Sequence, residues 1–245
     1  MKRAFVANQI CHVYNRGVDK RIIFLEDGDY LRCIHDIFEF NDTKPAFNFG
    51  RSHRRPSPVN NVIDFRNQSI DGGQPRLPRK RVVDILAFCL MPNHFHFLLR
   101  SLVVGGITLL TRKLGAGYAN YFNQKYERSG ALFQGGYKAV AVTKEPHFLY
   151  LPYYIHLNPL DLFAPGWKEQ GIVSVEKALD FLRSYRWSSY PDYIGIKNFP
   201  SLTQREFLNE IFGGAAQHEQ ETERLILEFS KTAERFDLLG KLTLE

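Results

Sequence analysis

Two imidazoles one residue apart, His94 and His96, are the side chains of this 245-residue chain whose types and spacing most directly suggest chemistry. On a strand, alternate side chains share a face, so both histidines point one way while Phe95 and Phe97 point into the core. That is a two-point grip on a metal ion, and it needs a third donor. Tyr154 and Asn158 are four residues apart, one helical turn, and share a face of any helix that carries them. If that helix docks beside the histidine strand, Asn158 completes a three-ligand set and Tyr154 stands next to the ion. Two imidazoles and one amide oxygen are neutral, so a divalent cation among them keeps its full charge for a phosphate. Such a cation offsets the charge of a scissile phosphodiester and lets a nucleophile approach in line. Phenol, with a pKa near ~10, is a poor nucleophile without that help. Attack by tyrosine conserves the bond energy in a phosphotyrosine, so the chemistry is strand transfer and not merely hydrolysis. Tyr150 lies on the same face and is the second candidate nucleophile; Tyr153 faces about 100° away on a regular helix. His156 also faces away from Tyr154 and has no assigned role.

The elements that must position these groups are legible in the same way. Residues 10–16 are rich in strand formers and end at Gly17. Asp27 or Asp29 can cap a helix over 30–40, with Leu31, Ile34 and Phe38 on one face. The apolar run 82–90 and the alternating run 95–99 flank Met91-Pro92-Asn93, which has turn chemistry, and together they predict an antiparallel hairpin. A second helix spans 107–126 with Leu110, Leu114, Tyr118 and Tyr121 inward, and Gly130 ends it. Residues 131–142 read as a strand with a glycine pair at 135 and 136. A helix over 146–158 starts at Pro146, carries the tyrosines, contains Pro152, where a kink is expected, and stops before Pro159. This order is βαββαβ, which predicts an α+β, ferredoxin-like antiparallel sheet with helices on one face. Helices are expected at 175–185, 204–212 and 219–236, the last with Leu225, Phe229, Ala233 and Phe236 inward. Residues 1–160 form the expected catalytic domain, and 161–245 an acidic, mostly helical C-terminal extension.

Charge distribution points to a polyanion. Residues 51–81 carry eight basic and two acidic groups and 82–160 carry seven and three, whereas 161–245 carry ten and fourteen. A basic body of this kind suits nucleic acid. Residues 43–80 lack periodicity and are rich in Pro, Gly and Arg, which reads as a basic insertion between the first helix and the second strand. Three cysteines without a Cys-x-x-Cys pair suggest neither a disulfide framework nor a zinc knuckle. No run is long enough to span a bilayer and the first residues lack a signal-peptide core, so a cytoplasmic protein without membrane contact is expected.

The ordered set His12-Val13-Tyr14-Asn15-Arg16-Gly17, Leu90-Met91-Pro92-Asn93-His94, Leu132-Phe133-Gln134-Gly135, Tyr137-Lys138, Tyr154-Ile155-His156-Leu157-Asn158-Pro159 and Trp187-Ser188-Ser189-Tyr190 resembles the signatures of the REP-associated tyrosine transposases. This is a branch of the single-tyrosine transposases with a His-hydrophobic-His (HUH) motif, and the likeness spans about residues 10–195. The resemblance implies metal-dependent endonuclease and strand-transfer activity on single-stranded DNA beside a hairpin, through a 5′-phosphotyrosine intermediate. It implies His94, His96 and Asn158 as metal ligands, Tyr154 as nucleophile, and Mg2+ or Mn2+ as the ion. Arg16, Arg112 and Lys138 are candidate DNA contacts. The assembly is expected to be a monomer or a homodimer, since some relatives exchange the tyrosine helix between subunits. Gly136 stands where the family usually has arginine, and Leu160-Asp161-Leu162 where it tends towards Val-Arg-Ala, so a phosphate contact is lost and one charge reversed. The insertion and the C-terminal extension also exceed a minimal member. The alternative is a catalytically silent protein that binds DNA or RNA hairpins by their structure. A zinc-stabilised structural module is disfavoured by the lack of paired cysteines.

Overall fold

The structure, a computed structural model, describes residues 5–44, 62–67 and 79–229. Its centre is a four-stranded antiparallel sheet of order β2-β3-β1-β4, built from β1 (Ile10–Arg16), β2 (Val83–Met91), β3 (His94–Ser101) and β4 (Lys138–Ala141). With α1 (Asp27–Phe40) and α2 (Gly106–Lys125), the chain order is the expected βαββαβ. The fold is α+β, and the strand order is that of a ferredoxin-like layer.

Side-chain alternation divides the sheet. One face carries Val13, Phe88, Leu90, Phe95, Phe97 and Leu99, which pack under Ile34 and Ile37 of α1 and Leu110, Leu114 and Tyr118 of α2. The other carries His12, Tyr14, His94, His96 and Leu98, as the register pairing Tyr14 with His96 and His12 with Leu98 requires. Helix α3 (Glu145–Leu157) covers part of this second face. Leu151 and Ile155 are fully buried against Ala87, Cys89 and Leu98, which fixes where the residues one helical turn further along must stand. Thus α1 and α2 lie on one face, as the sequence predicts, and the tyrosine helix lies on the opposite one.

Three local details differ from expectation. Helix α1 begins at Asp27 and not at residue 30, because Glu26 and Asp29 form a reciprocal capping box. The fourth strand is confined to Lys138–Ala141: Gly130 and Gly135 have φ of 85° and 74°, and only an isolated bridge from Gly17 to Phe133 joins the earlier part to the sheet. Within the expected insertion 43–80, Ile63 and Phe65 are anchored in the core: Ile63 N–H bonds the carbonyl of Asn198 at 2.9 Å and Phe65 stacks on Phe38. Residues 45–61 and 68–78 of that insertion, and Ala233 and Phe236, lie outside the described residues.

Beyond α3 come α4 (Leu160–Phe163), α5 (Trp167–Gln170), α6 (Val175–Ser184), α7 (Tyr190–Tyr193), α8 (Glu206–Phe212) and α9 (Ala215–Phe229). The inner faces of α6 and α9 meet Tyr153 and Leu157 of α3 through Leu179, Leu182, Leu225 and Ile226. Residues 187–189 lie along the outer edge of β2, with Leu90 N–H to the carbonyl of Trp187 and Ser189 N–H to that of Phe88. This covers a strand edge that would otherwise be exposed. Trp187 is itself buried and stacks on Tyr30 at 4.6 Å, so it packs the core. No helix among the described residues is long and apolar enough to cross a membrane.

Candidate active site

The two-residue turn Pro92-Asn93 delivers His94 and His96 to one face of β3, with ring centroids 5.0 Å apart and planes nearly perpendicular. Each ring is already held at Nδ1. For His94 the partner is the side-chain oxygen of Asn93, 2.6 Å away. Asn93 uses its own NH2 on the carbonyl of Lys20, so its oxygen must accept and His94 Nδ1 must donate. For His96 the partner is Nε2 of His12, 2.9 Å away in the neighbouring strand. Both contacts leave Nε2 for another use. His96 Nε2 is buried and has no hydrogen-bond partner, which costs about 1–3 kcal/mol unless something occupies it.

Asn158 follows the last residue of α3 and adopts αR geometry despite the proline after it. Its NH2 closes on the carbonyl of Tyr154 at 2.7 Å, which leaves its Oδ1 as the outward atom. The Asn158 side chain stands in hydrogen-bond contact with His94. The Asn158 carboxamide and His94 thus meet each other, while His96 Nε2 is left without a partner. Among the described residues no three His, Cys, Asp or Glu side chains are placed to hold a metal ion together. Burial and the nearby Arg16 cation bring the pKa of His94 down to about 4. Burial first, then the adjacent His12, puts His96 well below the ordinary imidazole value. Both are neutral at physiological pH, as ligands must be.

Tyr154 lies edge-on to this group. Its ring centroid is 5.8 Å from that of His96 and 6.0 Å from that of His12, and the residue is 7% exposed. Tyr150 is one turn earlier, its ring 6.3 Å from that of Tyr154, with a buried hydroxyl that has no hydrogen-bond partner. Tyr153 points instead into the α6 and α9 layer, where it stacks on His218.

A cleft of about 180 Å³ opens beside the histidines. Tyr14, Asn15 and Arg16 of β1 line it together with Gln134 and Lys138. Lys138 Nζ is 5.6 Å from the centre of the Tyr14 ring. Two of the three basic residues expected to meet DNA thus share the cleft with the histidines. The third, Arg112, is exposed on α2, on the other side of the sheet.

The sequence assigned no role to several residues that shape this site. His12 and Tyr14 alternate along β1 with Arg16, already a candidate DNA contact, so a shared face was readable, but the register that brings His12 against His96 was not. His156 is fully buried, with Nε2 2.7 Å from Ser189 Oγ and Nδ1 3.0 Å from His218 Nε2. It joins α3 to the strand-edge segment and to α9, and so places Tyr154 and Asn158 without touching the site.

Against known proteins, residues 75–158 match the family described as "Transposase IS200 like". That stretch holds both histidines, the tyrosine helix and Asn158. No curated protein matches the chain. Among solved structures, a REP-associated tyrosine transposase bound to a REP hairpin aligns with a TM-score of 0.48 at 14% identity, over 82% of this chain and 88% of that one.

Proposed function

From the premise that residues 75–158 match the IS200-like transposases, we propose that this protein cuts and rejoins single-stranded DNA next to hairpins, with Tyr154 as nucleophile and with His94, His96 and Asn158 holding Mg2+ or Mn2+. The observation that carries the reading is the buried, unpartnered Nε2 of His96 beside His94, with the Asn158 side chain in contact with His94 and the Tyr154 ring 5.8 Å from that of His96. The donor set suits an ion that must also bind a phosphate, because none of the ligands neutralises it. When bound, the ion supplies charge compensation on the scissile phosphate and orients it.

The chain's own residues do the rest. Arg16 and Lys138, at the cleft, engage the phosphates on either side of the scissile bond. The Tyr154 hydroxyl attacks phosphorus; the Oη–P bond forms as the P–O3′ bond breaks. The phenolic proton ends on the departing 3′ oxygen, leaving a 3′-hydroxyl and a 5′-phosphotyrosine. No other reactant is consumed, and the reverse attack by a 3′-hydroxyl reseals the strand. Residues 1–160 form the catalytic unit in this reading, and of the 161–245 extension the described helices α6 and α9 pack against the tyrosine helix.

One observation favours a second reading, a hairpin-binding protein that does not cut: Tyr154 is largely buried and is not among the residues lining the cleft. Incubation of the full chain with end-labelled single-stranded hairpin DNA, with Mg2+ or with EDTA, separates the two. Nicking that requires the ion supports the enzyme; tight binding with no nicking in either condition supports the silent binder.

A further inference from the structure

Resting on the reading of His94, His96 and Asn158 as a metal site, we propose that His12 is a positioning residue that holds His96 with its Nε2 lone pair turned towards the ion. The register places His12 diagonally across from His96 on the same face of adjacent strands. Their rings stack at 5.1 Å with planes 16° apart, and His12 Nε2 meets His96 Nδ1 at 2.9 Å. Both side chains are buried.

One proton is shared in this contact, and its owner decides what His96 can do. With the proton on His12 Nε2, a neutral His96 carries its own proton on Nε2, a buried N–H that has no acceptor and excludes a cation. With the proton on His96 Nδ1, Nε2 presents a lone pair that a cation can take. His12 Nδ1 has no partner in either case, so the choice rests on what His96 Nε2 faces, and a cation there selects donation by His96. The same arrangement holds His94, whose Nδ1 donates to an Asn93 oxygen that can only accept. A residue kept for packing alone would be apolar, since a buried imidazole with an unpartnered nitrogen carries a desolvation cost that leucine does not. His12 also shares with His96 the surface on which the Tyr154 ring rests edge-on.

The test is Mn2+ uptake by the full-length protein, read from loss of the free-ion signal in electron paramagnetic resonance. Wild type binds and His96→Ala does not. His12→Leu, which offers no acceptor, binds about 10–100-fold more weakly, and His12→Gln, whose amide oxygen accepts from His96 Nδ1, recovers to within about threefold of wild type. In wild type loaded with diamagnetic Mg2+, which needs no substitution, long-range 15N–1H spectra show the His96 proton on Nδ1. His12→Leu binding Mn2+ like wild type, or a His96 proton on Nε2, overturns the role of His12 while leaving the metal site standing. A wild type that takes up no Mn2+ overturns the metal site and this role together.

Discussion

Asn158 donates its side-chain NH2 to the carbonyl of Tyr154 at 2.7 Å, so the proposed third ligand and the proposed nucleophile are tied within one turn of each other. The bond commits the NH2 and leaves Asn158 Oδ1 for another partner. Asn158→Ala should weaken Mn2+ binding by one to two orders of magnitude. It should cost only about 1 kcal/mol of stability, because a single net hydrogen bond is worth that much. Calorimetric titration with Mn2+ alongside urea unfolding checks both; equal Mn2+ affinity in the variant would remove Asn158 from the ligand set.

His156 predicts a different signature. Its replacement by alanine opens a cavity, strands His218 Nε2 and takes one partner from Ser189 Oγ, which keeps its contacts with Phe88. The expected loss is about 2–4 kcal/mol of stability, with strand cleavage falling as α3 loosens. Urea unfolding of His156→Ala gives the first number, and a variant as stable as wild type would show that the buried contacts do not hold the helix.

Acid should unfold this protein earlier than its core would suggest. Burial brings His218 down to about 4 and His156 well below its ordinary value of 6.5. Below pH 6.5 the unfolded chain therefore takes up protons that the folded chain refuses. Stability is full above that pH and falls as pH drops towards 4, with His218 alone contributing on the order of 3 kcal/mol to the loss. Unfolding in urea at a series of pH values measures the slope, and His218→Gln should make it shallower. A flat profile between pH 6.5 and 4.5 would contradict the assignment.

Gly17 is needed for space. A Cβ on it would lie 2.4 Å from the carbonyl oxygen of Arg21 and 2.8 Å from Cγ2 of Ile23, and its N–H bonds the carbonyl of Asn93 at 2.8 Å. Gly17→Ala should cost about 1–3 kcal/mol and, by shifting the turn that orients His94, weaken Mn2+ binding as well. Thermal melting and Mn2+ titration of the same sample test the coupling; a shift in one without the other would break it.

Arg16 and Lys138 share the cleft with the histidines, whereas Arg112 is across the sheet. Arg16→Ala and Lys138→Ala should each reduce the slope of log affinity against log salt for single-stranded DNA by about 0.7. Arg112→Ala should leave it unchanged. Fluorescence anisotropy across a salt series measures all three, and an Arg112 effect as large as that of Arg16 would place the DNA on the other side.

Much of this was legible in the chain because two short-range rules carry it. The i, i+2 rule set His94 and His96 on one face, and the i, i+4 rule set Tyr154 with Asn158 on another. Gly17, Gly130 and the Pro92-Asn93 turn marked element ends for the same local reason. What escaped depends on long-range register. His12 meets His96 only because β1 pairs with β3 in one alignment, and His156 finds its partners 33 and 62 residues away. The fourth strand was read too long because its alternation continues through residues whose glycines turn the chain away. Asn93 was read as a turn former, and its side chain's hold on His94 is not a property that spacing reveals.

The central claim is that Tyr154 becomes covalently joined to DNA. Wild type and Tyr154→Phe, each mixed with labelled single-stranded hairpin DNA and Mg2+, can be denatured and analysed for protein that retains label. A phosphotyrosyl peptide containing residue 154 in wild type, absent from Tyr154→Phe and from a reaction with EDTA, is the result the account predicts. Cleavage without an adduct, or an adduct that persists in Tyr154→Phe, would contradict it.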